Sequence, residues 1–366
     1  MSKIGIITYH FANNYGAVLQ CYALSSYLKT IGHEVWVLNF ISSKQANNNS
    51  QYRKINSFKT LIKNLILLPF HGPRTSRFRN YESFRTTNLK LTPILSNNED
   101  LANYVNNNDF DYIISGSDQV FNPDILDFED SFFFPFDFKG KKIGYAVSLG
   151  IATKNDLENY TKCITDFNNI SVREKSAAEL VPFYKDKISE VVDPVFLLNK
   201  YHWEKLTNTT TQKYVLGYYI NSQYANQYIR LSKKIASYLG LKLIIIDARI
   251  TKNIFTNNII ISAGPKEFLN LFANATFVCT DSFHGTAFSI IYEKRFICFE
   301  PKFAATDTRK TNLCRNCGLD NNVFYLGHQK FDPIELTNIN IDYSKVKRKL
   351  EPYINKSKTF LFNSLN

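Results

Sequence analysis

Short apolar runs alternate with helix-period stretches along most of the chain. Lys3 to Thr8 reads as a buried strand, and Asn13-Asn14-Tyr15-Gly16 as a turn. Ala17 to Thr30 is apolar nearly all round, the pattern of a buried helix, and Gly32 can stop it. Glu34 to Phe40 is the next strand. Strand, glycine turn, helix and strand make a βαβ opening, which requires a parallel sheet. Phe110 to Ser115, Lys142 to Val147, Asn169 to Arg173 and Lys187 to Val192 continue the strand series, with a short helix over Ser176 to Leu180.

The polar stretch Thr207-Asn208-Thr209-Thr210-Thr211 then marks a linker. Beyond it, strands are expected at Tyr214 to Ile220, Lys242 to Asp247, Ala275 to Thr280 and Arg295 to Phe299. Helices are expected at Ala225 to Leu239, Lys266 to Ala273 and Gly285 to Tyr292. The pattern predicts an α/β chain of two Rossmann-like domains facing a cleft. The first would span residues 1–205, the second 212–330, with a helical tail over 331–366. In such sheets ligands bind beyond the carboxyl ends of the strands, where the strand order reverses. Chemistry is therefore sought in the strand-to-helix loops.

Composition narrows the class. The length, 366 residues, suits two domains, and 44% hydrophobic with 21% charged residues excludes wholesale disorder. The net charge of +12 is uneven. Between Glu34 and Glu82 there is no acidic residue but eight basic ones, leaving 36 basic against 32 acidic elsewhere. So local an excess points to an anionic partner or a membrane surface, not to a diffuse nucleic-acid interface. Within it, Phe58 to Phe70 reads as a helix with Lys59 and Lys63 one turn apart on an otherwise Leu- and Ile-rich surface. That is the pattern of an interfacial helix contacting lipid head groups, and equally of a packed helix with two solvated lysines. No uncharged apolar run reaches about 18 residues, and the N-terminus lacks a signal-peptide core, so a cytoplasmic protein is expected. Cys314-Arg315-Asn316-Cys317 is a lone CxxC without further ligands nearby, so it reads as a helix face and no metal is expected.

Several loops carry candidate chemistry. Thr280-Asp281-Ser282-Phe283-His284-Gly285-Thr286 follows an apolar strand and opens a helix. Asp281 or Ser282 can cap that helix, and the N–H groups of Gly285 and Thr286 there favour an anion. His284 beside an anion can donate a proton; the plainer reading is a cap and a satisfied histidine. Arg173, at the end of a strand in Ile170-Ser171-Val172-Arg173-Glu174, can hold an anion bidentately or be a surface residue paired with Glu174 or Glu179. In Ser115-Gly116-Ser117-Asp118-Gln119-Val120-Phe121-Asn122-Pro123, Asp118 can take a proton from a hydroxyl or cap a helix. Gln119 and Asn122 can bind sugar hydroxyls. The first turn, with Asn14 and Gly16, can reach a ligand but has too few glycines for a dinucleotide fingerprint. Arg309 and Lys310 are either solvated or a second anion clamp.

Together these strings resemble the polysaccharide pyruvyl transferase family, over about residues 3 to 320. The resemblance lies in Asn14-Tyr15-Gly16-Ala17-Val18-Leu19-Gln20, in the string from Gly116 to Pro123, in Ser171-Val172-Arg173-Glu174, in Val192-Asp193-Pro194 and in Asp281-Ser282-Phe283-His284-Gly285. It implies a GT-B-like fold and transfer of a pyruvyl group from phosphoenolpyruvate to a sugar as a ketal. Phosphoenolpyruvate is then a co-substrate, with no cofactor. The resemblance makes His284 the catalytic acid. It makes Arg173 and Arg309 (or Arg315) donor cations, helped by Ser282, Gly285 and Thr286. Many relatives carry an acid after the first-turn glycine; Ala17 stands here, so Asp118 becomes the candidate base. The acceptor would be a sugar, often on a lipid-linked oligosaccharide, at the inner face of a membrane. The alternatives are a GT-B glycosyltransferase using a nucleotide sugar and a non-catalytic glycan or lipid-carrier binder.

Overall fold

The protein is described by a computed structural model over residues 1–51, 58–150, 152–174, 188–246, 258–301 and 308–366. The helix expected over 176–180 falls outside them. Two six-stranded sheets are present, and every strand pairing in them is parallel. The first holds β1 (Lys3–Ile7), β2 (Glu34–Val37), β3 (Tyr112–Ser115), β4 (Lys141–Val147), β5 (Asn169–Val172) and β6 (Ile188–Glu190), in the order β2-β1-β3-β4-β5-β6. The second holds β7 (Tyr214–Tyr218), β8 (Lys242–Ile246), β9 (Ile259–Ile260), β10 (Phe277–Thr280), β11 (Arg295–Glu300) and β12 (Val323–Tyr325), in the order β12-β11-β10-β7-β8-β9. The fold is thus the two-unit α/β class expected from the pattern, GT-B-like as the resemblance implied. The very short β9 and β12 carry too little apolar sequence to have been legible.

Parallel strands covered on both faces read as continuous apolar runs. Ile4, Ile6, Ile113, Ile114 and Ile143 are accordingly fully buried. Helix α1 (Tyr15–Thr30) begins two residues before the expected start, because Asn14 caps it by accepting from the Ala17 N–H at 3.3 Å. Strand order reverses between β1 and β3 in the first sheet, and between β7 and β10 in the second.

The two units interleave in sequence. One is Met1–Ile66, Tyr81–Leu198 and Tyr353–Asn366; the other is Leu67–Asn80 and Asn199–Pro352. The expected boundaries differ in two ways. Residues 67–80 of the basic segment belong to the second unit, not the first. The tail is no appendage either: Leu361 and Leu365 are buried in the first unit's core beside Ile4, Ile6 and Ile114. Tyr112 Oη donates to the Leu365 carbonyl at 2.7 Å, and Ser357 Oγ accepts from the Val192 N–H at 2.8 Å.

Candidate functional site

In the first unit, the loops after β1, β3, β4, β5 and β6 bring together groups far apart in sequence. Arg173 follows β5 and its side chain is only 2% exposed. Its Nη1 donates to Asp193 Oδ2 at 2.7 Å, its Nη2 lies 3.7 Å from Asp118 Oδ1, and its Nε 3.7 Å from Glu174 Oε2. Burial pushes the guanidinium pKa down, but the carboxylates of Asp193, Glu174 and Asp118 outweigh that and raise it, so Arg173 stays charged. It is therefore not the surface arginine of the plainer reading. Ser148 Oγ donates to Glu174 Oε1 at 2.6 Å, and Asp193 also caps the turn after it by accepting from the Val195 N–H.

Asp118 is not a helix cap. It sits just after β3 with φ 83°, a left-handed backbone that costs a non-glycine residue about 1 kcal/mol or more. Its carbonyl accepts from Ser148 N–H at 3.0 Å, and its own Oδ1 from Gln119 N–H at 3.0 Å. Gln119 and Asn122 bond each other, Nδ2 of Asn122 donating to Oε1 of Gln119 at 2.9 Å. A side chain at Gly150 would strike both, with a Cβ 2.1 Å from Gln119 Oε1, so the glycine leaves room for the amide pair. Asn14 is exposed and Gly16 buried in the first turn of α1.

The β1–α1 loop is held by a residue that sequence reasoning missed. Arg85, with its side chain 5% exposed, donates to the carbonyls of His10, Phe11 and Ala12 and to Asn13 Oδ1, and pairs with Glu82. It sits 72 residues from Asn13, so no local pattern links them. His10, also missed, is buried with Nδ1 3.1 Å from the Thr8 carbonyl and Nε2 3.0 Å from the Asn39 amide.

In the second unit, His284 lies in the first turn of the Phe283–Ile291 helix that follows β10. Ser282 is the cap: its Oγ accepts from Gly285 N–H at 3.3 Å, and its carbonyl from Thr286 N–H at 2.9 Å. Those two N–H groups are thus used inside the helix terminus. Gly285 is required by packing, since a Cβ there would lie 2.2 Å from Thr280 Oγ1. Asp281 does not cap this helix. It reaches across the strand reversal, accepting from Ile220 N–H at 2.6 Å and Asn221 N–H at 2.9 Å. Lys310 is neither solvated nor a clamp: it donates to the carbonyls of Asp281 and Phe299 and lies 3.4 Å from the buried Glu300.

Lys310 thereby pins the start of the Arg309–Cys317 helix against the His284 loop, which sets Arg309 at that end. Arg315 stands six residues on, about 9 Å along the helix axis, beside Asp320. Cys314 and Cys317 are buried thiols of the same helix. Contact with Cys298 and burial push the Cys314 thiol up, and burial raises Cys317 to about 12. The Phe58–Leu67 helix forms where expected, but the Lys59 and Lys63 side chains lie outside the described residues.

The family model for polysaccharide pyruvyl transferases matches residues 14–302, most of the chain, from the first-turn Asn14 through the His284 loop, and ends before Arg309. The chain belongs to the polysaccharide pyruvyl transferase family. No curated relative matches it. Among solved structures, this pyruvyl transferase resembles a Methanocaldococcus jannaschii UDP-GlcNAc 2-epimerase in complex with UDP-GlcNAc and UDP. That match has 13% identity, covers 96% of this chain and 99% of that one, and has a TM-score of 0.51. Another UDP-N-acetylglucosamine 2-epimerase gives 9% identity, 99% and 94% coverage and a TM-score of 0.53. At these identities the likeness shows the fold alone. No helix among the described residues is long and apolar enough to cross a membrane.

Proposed function

We propose that this pyruvyl transferase takes phosphoenolpyruvate as donor and forms a cyclic pyruvate ketal on a sugar of a cell-surface glycan precursor. The observation that carries this reading is His284 in the first turn of a helix at the strand reversal of the second sheet, with Arg309 at the neighbouring helix start. The helix terminus supplies partial positive charge, and Arg309 a full one, for a phosphate and a carboxylate. Ser282, Gly285 and Thr286 build that terminus.

His284 protonates the donor's methylene carbon, leaving an oxocarbenium-like centre on the adjacent carbon. A sugar hydroxyl attacks that carbon and gives up its proton to a base. The carbon–oxygen bond to phosphate breaks, and phosphate leaves with its electron pair. A second hydroxyl, losing its own proton, closes the ketal. Asn14, Gly16, Gln119 and Asn122 line the acceptor side.

The acceptor is a lipid-linked oligosaccharide at the inner face of an anionic membrane. Supporting this, Phe58, Ile62 and Leu65 are exposed on one stripe of a helix within the acid-free basic segment. The test mixes protein, phosphoenolpyruvate and lipid-linked glycans and follows phosphate release and pyruvyl mass gain. His284→Gln should cut turnover at least a hundredfold with the fold intact, the usual scale for a lost general acid. Near-normal turnover in that variant overturns the assignment, and stabilisation by nucleotide sugars but not by phosphoenolpyruvate would favour glycosyl transfer.

A further inference from the structure

The loop between β1 and α1 leaves the first sheet where its strand order reverses, the place where such sheets take ligands. Three successive carbonyls of this loop converge on one buried guanidinium. Arg85 Nε donates to the His10 carbonyl at 2.9 Å. Its Nη2 lies 2.7 Å from the Phe11 carbonyl, 3.1 Å from the Ala12 carbonyl and 2.8 Å from Asn13 Oδ1. Its Nη1 pairs with Glu82. Arg85 is delivered by the His71–Asn88 helix, whose stretch from Tyr81 belongs to the first unit. There Tyr81 packs its ring 5.4 Å from Tyr15 at the start of α1, Phe84 packs 5.6 Å from Tyr22, and the guanidinium lies 5.5 Å from the Tyr81 ring. His10 adds a second tie, through Asn39 just after β2. With its carbonyls turned inward to Arg85, the loop keeps Asn14 exposed at its outer end.

We infer that Arg85 is a positioning residue for the acceptor: it fixes the β1–α1 loop in the one shape that presents Asn14 to the sugar. A planar fork with five N–H groups can satisfy several carbonyls at once, whereas a lysine ammonium offers three donors from a single point. Lysine in this place keeps the charge and loses the fork, so some buried carbonyls lose their partner and the loop turns to find others. The bonds lie in a side chain only 5% exposed, where losing a partner costs most. The inference rests on the pyruvyl-transfer reading and on the acceptor side assigned there to Asn14. It adds a residue that touches neither substrate and lies 71 positions beyond Asn14 in the chain.

The test separates acceptor binding from the chemical step, using the full chain with folding checked by circular dichroism. The acceptor probes are 4-nitrophenyl glycosides of gluco, galacto and manno configuration and the lipid-linked glycans, with phosphate release as the signal. With any probe that the wild type pyruvylates, Arg85→Lys should raise the acceptor KM about tenfold or more and leave kcat within about threefold, the signature of lost binding shared by ground and transition states. Titration with phosphoenolpyruvate alone should give the same Kd within about twofold. Glu82→Gln removes a partner that orients the guanidinium from a half-exposed position, so it should fold and raise the same KM by about threefold. It should add nothing to Arg85→Lys, since both act through one guanidinium. If Arg85→Lys does not fold, Glu82→Gln decides alone. An unchanged acceptor KM in a folded variant, even with a lowered unfolding midpoint, overturns the inference and makes Arg85 a brace of the fold only. A tenfold weaker Kd for phosphoenolpyruvate also overturns it, by assigning the loop to the donor. A wild-type chain that releases no phosphate with any of these acceptors overturns the pyruvyl-transfer reading, and this inference with it.

Discussion

Burial holds the His10 imidazole down at about 4, against an ordinary 6.5, although the Asn39 and Thr8 contacts oppose the shift. The ring is neutral in the fold above that value, with its two nitrogens facing the Thr8 carbonyl and the Asn39 side-chain amide. Between pH 6.5 and 4 the unfolded chain takes a proton that the folded one refuses. This contribution to stability is therefore complete above pH 6.5 and is lost as pH falls towards 4. In urea unfolding, wild type should lose about 2 kcal/mol more than His10→Gln between pH 7 and pH 4.5. Identical losses would show that His10 is protonated in the fold. The same residue scale shows what sequence could not reveal. His284, Asp118 and Arg173 stand out by type and by position after a strand. Their partners do not: Asp193 lies twenty residues from Arg173, and Arg85 seventy-two from Asn13.

Elements were the most legible level. Strands β1, β3, β4, β5, β7, β10 and β11 stand within two residues of their expected ends, because buried parallel strands need continuous apolar runs. The Phe58–Leu67 helix was legible as a helix but ambiguous in role. Its exposed Phe58 (76%), Ile62 (41%) and Leu65 (53%) favour an interfacial element. Charge reversal at both Lys59 and Lys63 should weaken binding to vesicles rich in anionic lipid, by about 2 kcal/mol or more at low salt, and should reduce its salt sensitivity. Co-sedimentation with such vesicles measures this. Unchanged binding of the variant would mean that the helix does not touch lipid.

At the scale of the whole molecule, the chain closes its first unit with its last residues. Leu361 is fully buried against strand residues from the opening of the chain. Leu361→Ala should cost about 2–5 kcal/mol in denaturant unfolding. A loss below about 1 kcal/mol would mean that the C-terminal helix is not part of that core.

The order of elements, the parallel α/β class and the loops that carry reactive residues follow from the sequence by itself. Hydrophobic period and turn residues act over a few neighbours, and a family string is read the same way. Tertiary structure alone decided that Arg173 faces three carboxylates and that Lys310 braces the His284 loop. It alone decided that Gly285 is required by Thr280, and that the tail fills the first unit. Those depend on which strand ends lie side by side in the sheets, and contacts between residues that distant leave no local period to read.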